Sequence, residues 1–249
     1  MERHGFDMKI LGLDSSGLVA SAAVVENGIL LAEYTTNYKK THSQTLLPML
    51  DEIRSMIEMD MQSIDAVAIA AGPGSFTGLR IGAATAKGLG LALNKPLVEV
   101  PTLEGLAYNL CGATQLVCPL MDARRNQVYT GIYEFKKEMT DYRMSVVENQ
   151  CAVDITEILD KLNGLGREVV FLGDGVPVYR DRIEALLKVP YTYAPANNNR
   201  QRAASVAALG EVYYAEGRTV SAAEHQPEYL RKSQAEREQE EKEKHAQIE

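Results

Sequence analysis

The stretch from Asp65 to Asn94, DAVAIAAGPGSFTGLRIGAATAKGLGLALN, decides the fold. It begins with an apolar run, Ala66 to Ala71, and turn residues follow at once, which is typical of a buried strand. The turn from Gly72 to Gly78 contains three glycines, which allow backbone conformations that other residues resist. Ser75 or Thr77 can cap the helix that comes next.

That helix is predicted from about Leu79 to Leu93, and almost all its residues are small or apolar. A helix of this kind is buried on nearly all sides, so its own sheet covers one side and we expect a partner on the other. We expect one line of small residues to face the partner and a second line to face the sheet. The first line is Leu79, Ala83, Ala86 and Gly90; the second is Ile81, Ala84, Gly88 and Leu91.

A second helix with a broad apolar face precedes this stretch, and we expect it to flank the same partner surface. It is predicted to start near Gln44 or Thr45 and to end at about Met59, with Pro48 in its first turn. Its apolar stripe consists of Leu46, Leu50, Ile53 and Ile57.

The predicted elements of the first half recur in the second half. Three strands are followed by helix, strand, helix, strand and helix, and the Asn27-Gly28 pair predicts a hairpin between the second and third strands. The first half has strands at 9–13, 19–25, 29–35, 66–71 and 96–100, with a last helix at 102–110. The second half has strands at 115–121, 127–135, 143–148 and 169–172, with helices at 154–162, 178–187 and 203–216.

This repeat predicts an α/β protein with the duplicated actin-like (ASKHA or ribonuclease-H-like) fold, in which two lobes each hold a mixed sheet and flanking helices. We expect the first lobe at 8–105 and the second at 106–202. Residues 203–230 form a C-terminal helix and anchor, and part of the 203–220 helix packs on the first lobe. The residues at 231–249 form a charged tail, either helical or disordered.

In this architecture a nucleotide lies between the lobes, and strand-end acids and glycine turns surround its phosphates. The glycine turn is neither a P-loop nor the dinucleotide fingerprint, because the motif endings and spacings differ. The alternative is that the glycines only permit a tight joint and that the acids only close turns. The candidate nucleotide or phosphate residues are Asp14, Ser15, Gly72, Gly74, Ser75, Asp122, Gly173 and Gly175.

Composition narrows the possible functions. The chain has 249 residues and a formal net charge of -8. The negative charge argues against nucleic-acid binding by this chain alone, because such binding normally needs a basic face. Arg124 and Arg125, at a turn after a strand, are the local exception. Three cysteines without a C-x-x-C pair favour free thiols in a reducing compartment. No signal peptide or membrane span is recognised, so we expect a cytoplasmic protein, and Met8 is an alternative start.

Catalytic chemistry is poorly supported by the sequence. The four histidines have no metal-ligand spacing, so no metal site is expected on this chain. There is no G-x-S-x-G elbow, and His42 and Ser43 are adjacent on a helix, where neighbouring side chains do not face each other. We predict no catalytic residues.

Four stretches closely resemble the bacterial TsaB (YeaZ) family, and the resemblance runs from about Lys9 to Arg231. The run GPGSFTGLRIG is highly specific. The family is related to the catalytic protein TsaD and its archaeal and eukaryotic relatives, which make N6-threonylcarbamoyladenosine next to the anticodon of tRNAs that read codons starting with A. The four stretches are ILGLDSS at 10–16, THSQTLLPML at 41–50, AAGPGSFTGLRIGAATAKGLGLAL at 70–93 and PEYLR at 227–231.

The resemblance implies a non-catalytic paralogue that binds and activates TsaD alongside the ATPase TsaE. TsaD carries a metal bound by paired histidines, whereas this sequence has only His42 in the matching helix. We predict a homodimer in isolation, a heterodimer with TsaD through the two broad helices, and tRNA contact only through the complex. The predicted interface comprises His42, Leu46, Leu50, Ile53, Leu79, Arg80, Ala83, Ala86, Lys87 and Gly90.

No cofactor of its own is expected, and ATP or ADP at the partner interface is one alternative. The other function left open is an ATP-dependent enzyme of the actin-like kinase class. Asp14 and Asp122 would then hold magnesium, and the loops at Gly74 and Gly175 would cradle phosphates.

Overall fold

A computed structural model of the chain describes residues 8–38 and 41–231. The first half of the chain forms a five-stranded mixed sheet in the order β3-β2-β1-β4-β5. The central strand β1 pairs antiparallel with β2 and parallel with β4. The elements are β1 Lys9–Asp14, β2 Ala20–Glu26, β3 Ile29–Thr36, α1 His42–Met56, a 3-10 turn Met61–Ser63, β4 Ala66–Gly72, α2 Phe76–Leu93, β5 Leu97–Pro101 and α3 Thr102–Tyr108.

The second half repeats this order strand for strand, and its sheet runs β8-β7-β6-β9-β10. The duplicated actin-like fold is therefore confirmed. Its elements are β6 Leu116–Asp122, β7 Gln127–Glu138, β8 Asp141–Asp154, α4 Ile155–Leu165, β9 Val169–Leu172, α5 Gly175–Leu186, β10 Tyr191–Tyr193 and α6 Ala203–Ala215.

The last helix, α6, belongs to the second half by its place in the repeat but packs on the first sheet. Val206, Leu209 and Tyr213 of α6 lie in one cluster with Ile10 and Val98 of that sheet. The opposite face of the first sheet is covered by α1 and α2. The first sheet is therefore buried on both faces, which explains the apolar run of β4.

The helices α1 and α2 begin earlier than predicted. α1 starts at His42, so Pro48 is its seventh residue and lies inside the helix rather than in the first turn. The proline ring is tolerated there because Pro48 is exposed. The Gln44 carbonyl, which lacks a donor because proline has no N–H, belongs to an exposed residue and can bond to solvent. α2 starts at Phe76, and the Ser75 side chain caps it by accepting from the Gly78 N–H.

The strand β10 was not predicted, because its three residues are too short to show alternation. None of the helices in the described part of the chain is long and apolar enough to cross a membrane. Residues 1–7, which precede the alternative start at Met8, and the part of the predicted charged tail from 232 onward lie outside the described residues.

Candidate functional site

A cleft of about 990 Å³ lies between the two lobes. The β1–β2 turn, the glycine turn and the start of α1 form its first wall, and the β6–β7 turn and the start of α5 form the second. Its lining includes Ser16, His42, Gly74, Ser75, Phe76, Asp122, Arg124, Asp174 and Arg231.

The glycine turn is packed tightly against its neighbours. Gly72 has a φ of 127°, and a β-carbon there would overlap the Glu228 carbonyl oxygen. A β-carbon on Gly74 would overlap the Ser16 carbonyl oxygen, which also accepts a 2.7 Å hydrogen bond from the Ser75 N–H. At these positions the glycines serve a tight joint, and the Ser75 N–H is already used within the chain.

Asp14 and Ser15 lie beneath the glycine turn and do not line the cleft. One Asp14 carboxylate oxygen accepts hydrogen bonds from the Ser16 N–H and hydroxyl, at 2.9 and 2.7 Å. Burial raises the pKa of Asp14 to about 6, although the Ser16 hydrogen bonds and His42 lower it in part. The Ser15 hydroxyl donates to the Gly78 carbonyl at 2.9 Å, so both side chains fix the joint from below.

On the opposite wall, Asp122 faces the cleft. Its carboxylate accepts from the Arg124 N–H at 2.9 Å and from the Tyr179 hydroxyl at 3.2 Å. Asp174 also lines the cleft, and burial raises the pKa of its carboxyl group. Gly173 and Gly175 lie beside the Leu120 carbonyl at the base of this wall and do not line the cleft.

Of the eight predicted nucleotide or phosphate residues, the cleft therefore brings together Gly74, Ser75 and Asp122. Sequence reasoning missed the lining residues Ser16, Asp174 and Arg231. Asp174 lies between the candidate residues Gly173 and Gly175, and Arg231 is the last residue of PEYLR. The motifs that contain these two residues could therefore have indicated them.

His42 has a structural partner. Its Nε2 atom lies 2.9 Å from the Gly17 carbonyl oxygen and donates to it, because a carbonyl can only accept. Within residues 8–38 and 41–231, no group of three or more His, Cys, Asp or Glu side chains is arranged to hold a metal ion.

The predicted assignment of the two faces of α2 is wrong. Leu79, Ala83, Ala86 and Gly90 lie in the chain's own core, and Ala86 has no exposed surface. Ala86 lies in one core cluster with Leu97 and Ala222, and a β-carbon on Gly90 would crowd the same two residues, so this line packs inside the chain and cannot also face a partner. Leu46, Leu50 and Ile53 of α1 are buried in the same way. Of the predicted interface residues, Arg80 is exposed, and His42 and Lys87 are half-buried.

The outer face of α2 is instead formed by the second line. Ala84, Gly88 and Leu91 are exposed, and Ile81 is half-buried. A β-carbon on Gly88 would meet no atom within 4 Å. On α1, the apolar side chains of Leu47 and Met56 are exposed. Both helices therefore present apolar or small side chains to solvent.

The C-terminal segment, defined as residues 219–231, runs along α2 and reaches the second lobe. Lys87 of α2 donates to the Ala223 and His225 carbonyls at 3.1 and 3.0 Å. The Glu228 N–H donates to the Ala71 carbonyl at 2.7 Å. Arg231 then donates to the carbonyl of Ala123 in the β6–β7 turn. The segment thus ties α2, the glycine turn and the second wall of the cleft together.

Comparisons with known proteins point to one family. The family model "TsaD: tRNA N6-adenosine threonylcarbamoyltransferase" matches residues 29–239. The chain is 34% identical over 229 residues to the tRNA threonylcarbamoyladenosine biosynthesis protein TsaB of Bacillus subtilis (strain 168). This match covers 92% of this chain and 96% of that protein. The chain is 29% identical over 234 residues to TsaB of Escherichia coli (strain K12), with the same coverage. The solved structure of YeaZ from Pseudomonas aeruginosa superimposes with a TM-score of 0.75 and 25% identity, covering 90% of this chain and 100% of that one.

Proposed function

The chain belongs to the TsaB family, a relative of the TsaD threonylcarbamoyltransferases, and from this we propose that it is a non-catalytic subunit of a tRNA-modifying complex. Its role in tRNA threonylcarbamoyladenosine biosynthesis is supported by the relatives from Bacillus subtilis and Escherichia coli, which are named for this pathway. In the proposed complex it binds and activates TsaD, with TsaE as a further subunit, and the tRNA is contacted mainly through TsaD.

The observation that carries this proposal is the outer face of α2. A helix face of Ala84, Gly88 and Leu91 contributes little to the stability of the isolated chain, because Leu91 is 66% exposed. Small residues on such a face let a second helix approach closely, as large side chains would not. A partner helix packed against α2 would bury Leu91. It would also explain why α2 carries few charged residues on its exposed face as well as on its buried face.

The proposed heterodimer with TsaD uses this face, and the homodimer in isolation uses the same face in its absence. Exposed Leu47 and Met56 extend the apolar surface to α1. Arg80 and Lys87 of the predicted interface are themselves residues of α2, and in the proposed complex they supply polar contacts beside this apolar face. ATP or ADP at this interface is part of the same proposal, with no nucleotide site on this chain alone.

Catalytic silence of the isolated chain is supported by its histidines. His42 is the only histidine in the helix that matches the metal-binding helix of TsaD, and its Nε2 atom is held by the Gly17 carbonyl. Transfer chemistry in the complex is therefore assigned to TsaD.

The test is threonylcarbamoyl transfer to tRNA by TsaD, TsaE and threonylcarbamoyl-adenylate, with and without this chain. Ala84→Glu places a charge on the exposed face of α2, and Ala185→Glu places the same charge on an exposed position of α5 as a control. We expect Ala84→Glu to remain folded, to lose TsaD binding and to lose activation, while the control keeps both. Normal activation by Ala84→Glu would place the contact elsewhere.

The second candidate, an actin-like kinase, is favoured by one observation: acidic side chains from the second lobe, Asp122 and Asp174, line an inter-lobe cleft. Calorimetry with Mg-ATP on the isolated chain separates the candidates. The subunit proposal predicts no saturable binding, whereas micromolar binding that Asp122→Asn abolishes would favour the kinase.

A further inference from the structure

Four arginines and two aromatic rings lie at the inter-lobe cleft or directly beside residues that line it. Phe76, Arg124 and Arg231 line the cleft, Arg80 and Tyr229 contact Phe76, and Arg125 follows Arg124 in the β6–β7 turn. The rim residues are Phe76, Arg80, Arg124, Arg125, Tyr229 and Arg231.

The C-terminal segment makes this surface continuous across the two lobes. The ring of Tyr229 stacks on Phe76 of the first lobe, with centroids 4.2 Å apart and planes 14° apart. Two residues later, Arg231 donates to the Ala123 carbonyl of the second lobe. The aromatic pair and the Arg124-Arg125 turn are therefore held at a fixed separation by the folded chain.

Three of the four rim arginines, Arg80, Arg124 and Arg125, are exposed, whereas Arg231 is half-buried and already donates to the Ala123 carbonyl. The Arg124 side chain is 84% exposed and forms an ion pair with the Asp122 carboxylate at 3.7 Å. Within residues 8–38 and 41–231, no carboxylate lies within ion-pair distance of Arg80, Arg125 or Arg231. The carboxylates of Asp122 and Asp174 also line the cleft, but the four rim arginines outnumber them, in a chain whose net charge is -8.

The β6–β7 turn holds its arginines in a conformation that they rarely adopt. Arg124, Arg125 and Asn126 have φ values of 65°, 55° and 59°, all in the left-handed region. Asparagine tolerates this region, but two arginines do so only at a cost, which glycine would avoid. The turn is closed by hydrogen bonds from the Arg124 N–H to Asp122 and from the Gln127 N–H to the Arg124 carbonyl.

We propose that this arginine–aromatic rim binds single-stranded RNA, with the arginines on phosphates and Tyr229 stacking with one base. Exposed guanidinium groups beside an aromatic ring are the combination that single-stranded nucleic acids require, because phosphates need cations and unstacked bases need a flat apolar surface. Tyr229 keeps 39% of its surface exposed, and Arg80 holds it in place by donating from Nε to its hydroxyl at 3.4 Å. The inference rests on the proposed function, since the tRNA substrate of the complex is the RNA concerned.

The two kinds of contact have different experimental signatures. Each phosphate contact adds about 0.7 to the slope of log affinity against log salt for a single strand. Stacking depends little on salt, so removing the tyrosine ring lowers affinity without changing this slope.

The experiment is fluorescence anisotropy of the full-length chain with a labelled single-stranded RNA of about ten nucleotides, titrated between about 50 and about 200 mM salt. We expect a dissociation constant of about 10 to 100 µM at the low-salt end. R124A/R125A should reduce the salt slope by about 1.4, and Y229L should weaken binding about tenfold with the slope unchanged. The control is K136A/K137A, which removes two consecutive exposed lysines from β7.

Equal binding by wild type, rim variants and control would overturn the inference, as would no binding at low salt. Displacement of the RNA by an equal concentration of ATP would also overturn it, in favour of a mononucleotide site. A chain that binds RNA through the rim but fails to activate TsaD refutes only the proposed function. A chain that activates TsaD while its rim variants bind RNA normally refutes only this inference.

Discussion

Tyr229 stacks on Phe76 at a centroid distance of 4.2 Å and thereby joins the C-terminal segment to the first turn of α2. The two residues are far apart in sequence, and the contact covers the side of the glycine turn where Gly72 meets the Glu228 carbonyl. The C-terminal segment therefore stabilises the glycine turn that connects β4 to α2.

Replacing Tyr229 with alanine is expected to lower the free energy of unfolding by about 1 to 2 kcal/mol, because the stacked pair and part of the buried ring are lost. Urea unfolding measures this. Tyr38→Ala, at a tyrosine that is 72% exposed, is the control and should change stability little. Equal stability of both variants would mean that the segment does not anchor the joint.

The two faces of α2 predict opposite results for the same substitution. Ala86→Glu buries a charge in the core and should destabilise the fold by several kcal/mol, whereas Ala84→Glu points to solvent and should leave stability nearly unchanged. Circular dichroism melting curves decide this. A well-folded Ala86→Glu would contradict the observed orientation of the helix.

The orientation of α2 is also the feature of the first lobe that the sequence could not predict. The duplication, the strand order and the glycine joint follow from apolar runs and turn residues, which act locally. The orientation of α2 does not, because a helix with small residues all round has no polar face to point outward. Its buried side is decided by contacts distant in sequence, with Ser15 and Ala222. The PEYLR run was recognised as an anchor, but its path across α2 depends on such contacts as well.

Asp14 gives the fold a pH dependence of known sign. Burial raises its pKa from 3.8 to about 6 in the folded chain, so its protonated form favours folding. The contribution is fully present below pH 4 and is lost as the pH rises through about 6. Asp14→Asn cannot ionise, and its carbonyl oxygen can still accept from Ser16.

The stability of Asp14→Asn relative to wild type should therefore increase between pH 4 and pH 7, by about 3 kcal/mol at most. Urea unfolding at several pH values measures the difference, and Asp51→Asn on the exposed side of α1 is the control. A difference that stays constant over this range would show that Asp14 remains ionised in the folded chain.

Replacing Arg125 with glycine is expected to preserve or increase the stability of the fold while weakening RNA binding. Arg125 has a φ of 55°, so Arg125→Gly relieves backbone strain, partly offset by the greater entropy of glycine in the unfolded chain. We expect unchanged or up to about 1 kcal/mol greater stability, together with weaker RNA binding. Arg125→Ala keeps the strain and should weaken RNA binding equally without the gain. A clearly destabilised Arg125→Gly would show that the arginine side chain supports the fold.

We propose that this chain activates TsaD without transferring the threonylcarbamoyl group itself. The most direct measurement is transfer from threonylcarbamoyl-adenylate to tRNA by three preparations: this chain alone, TsaD with TsaE, and all three proteins together. The proposal predicts no product with the chain alone and a strong increase when it joins TsaD and TsaE. Robust transfer by the chain alone, or no increase on its addition, would contradict the claim.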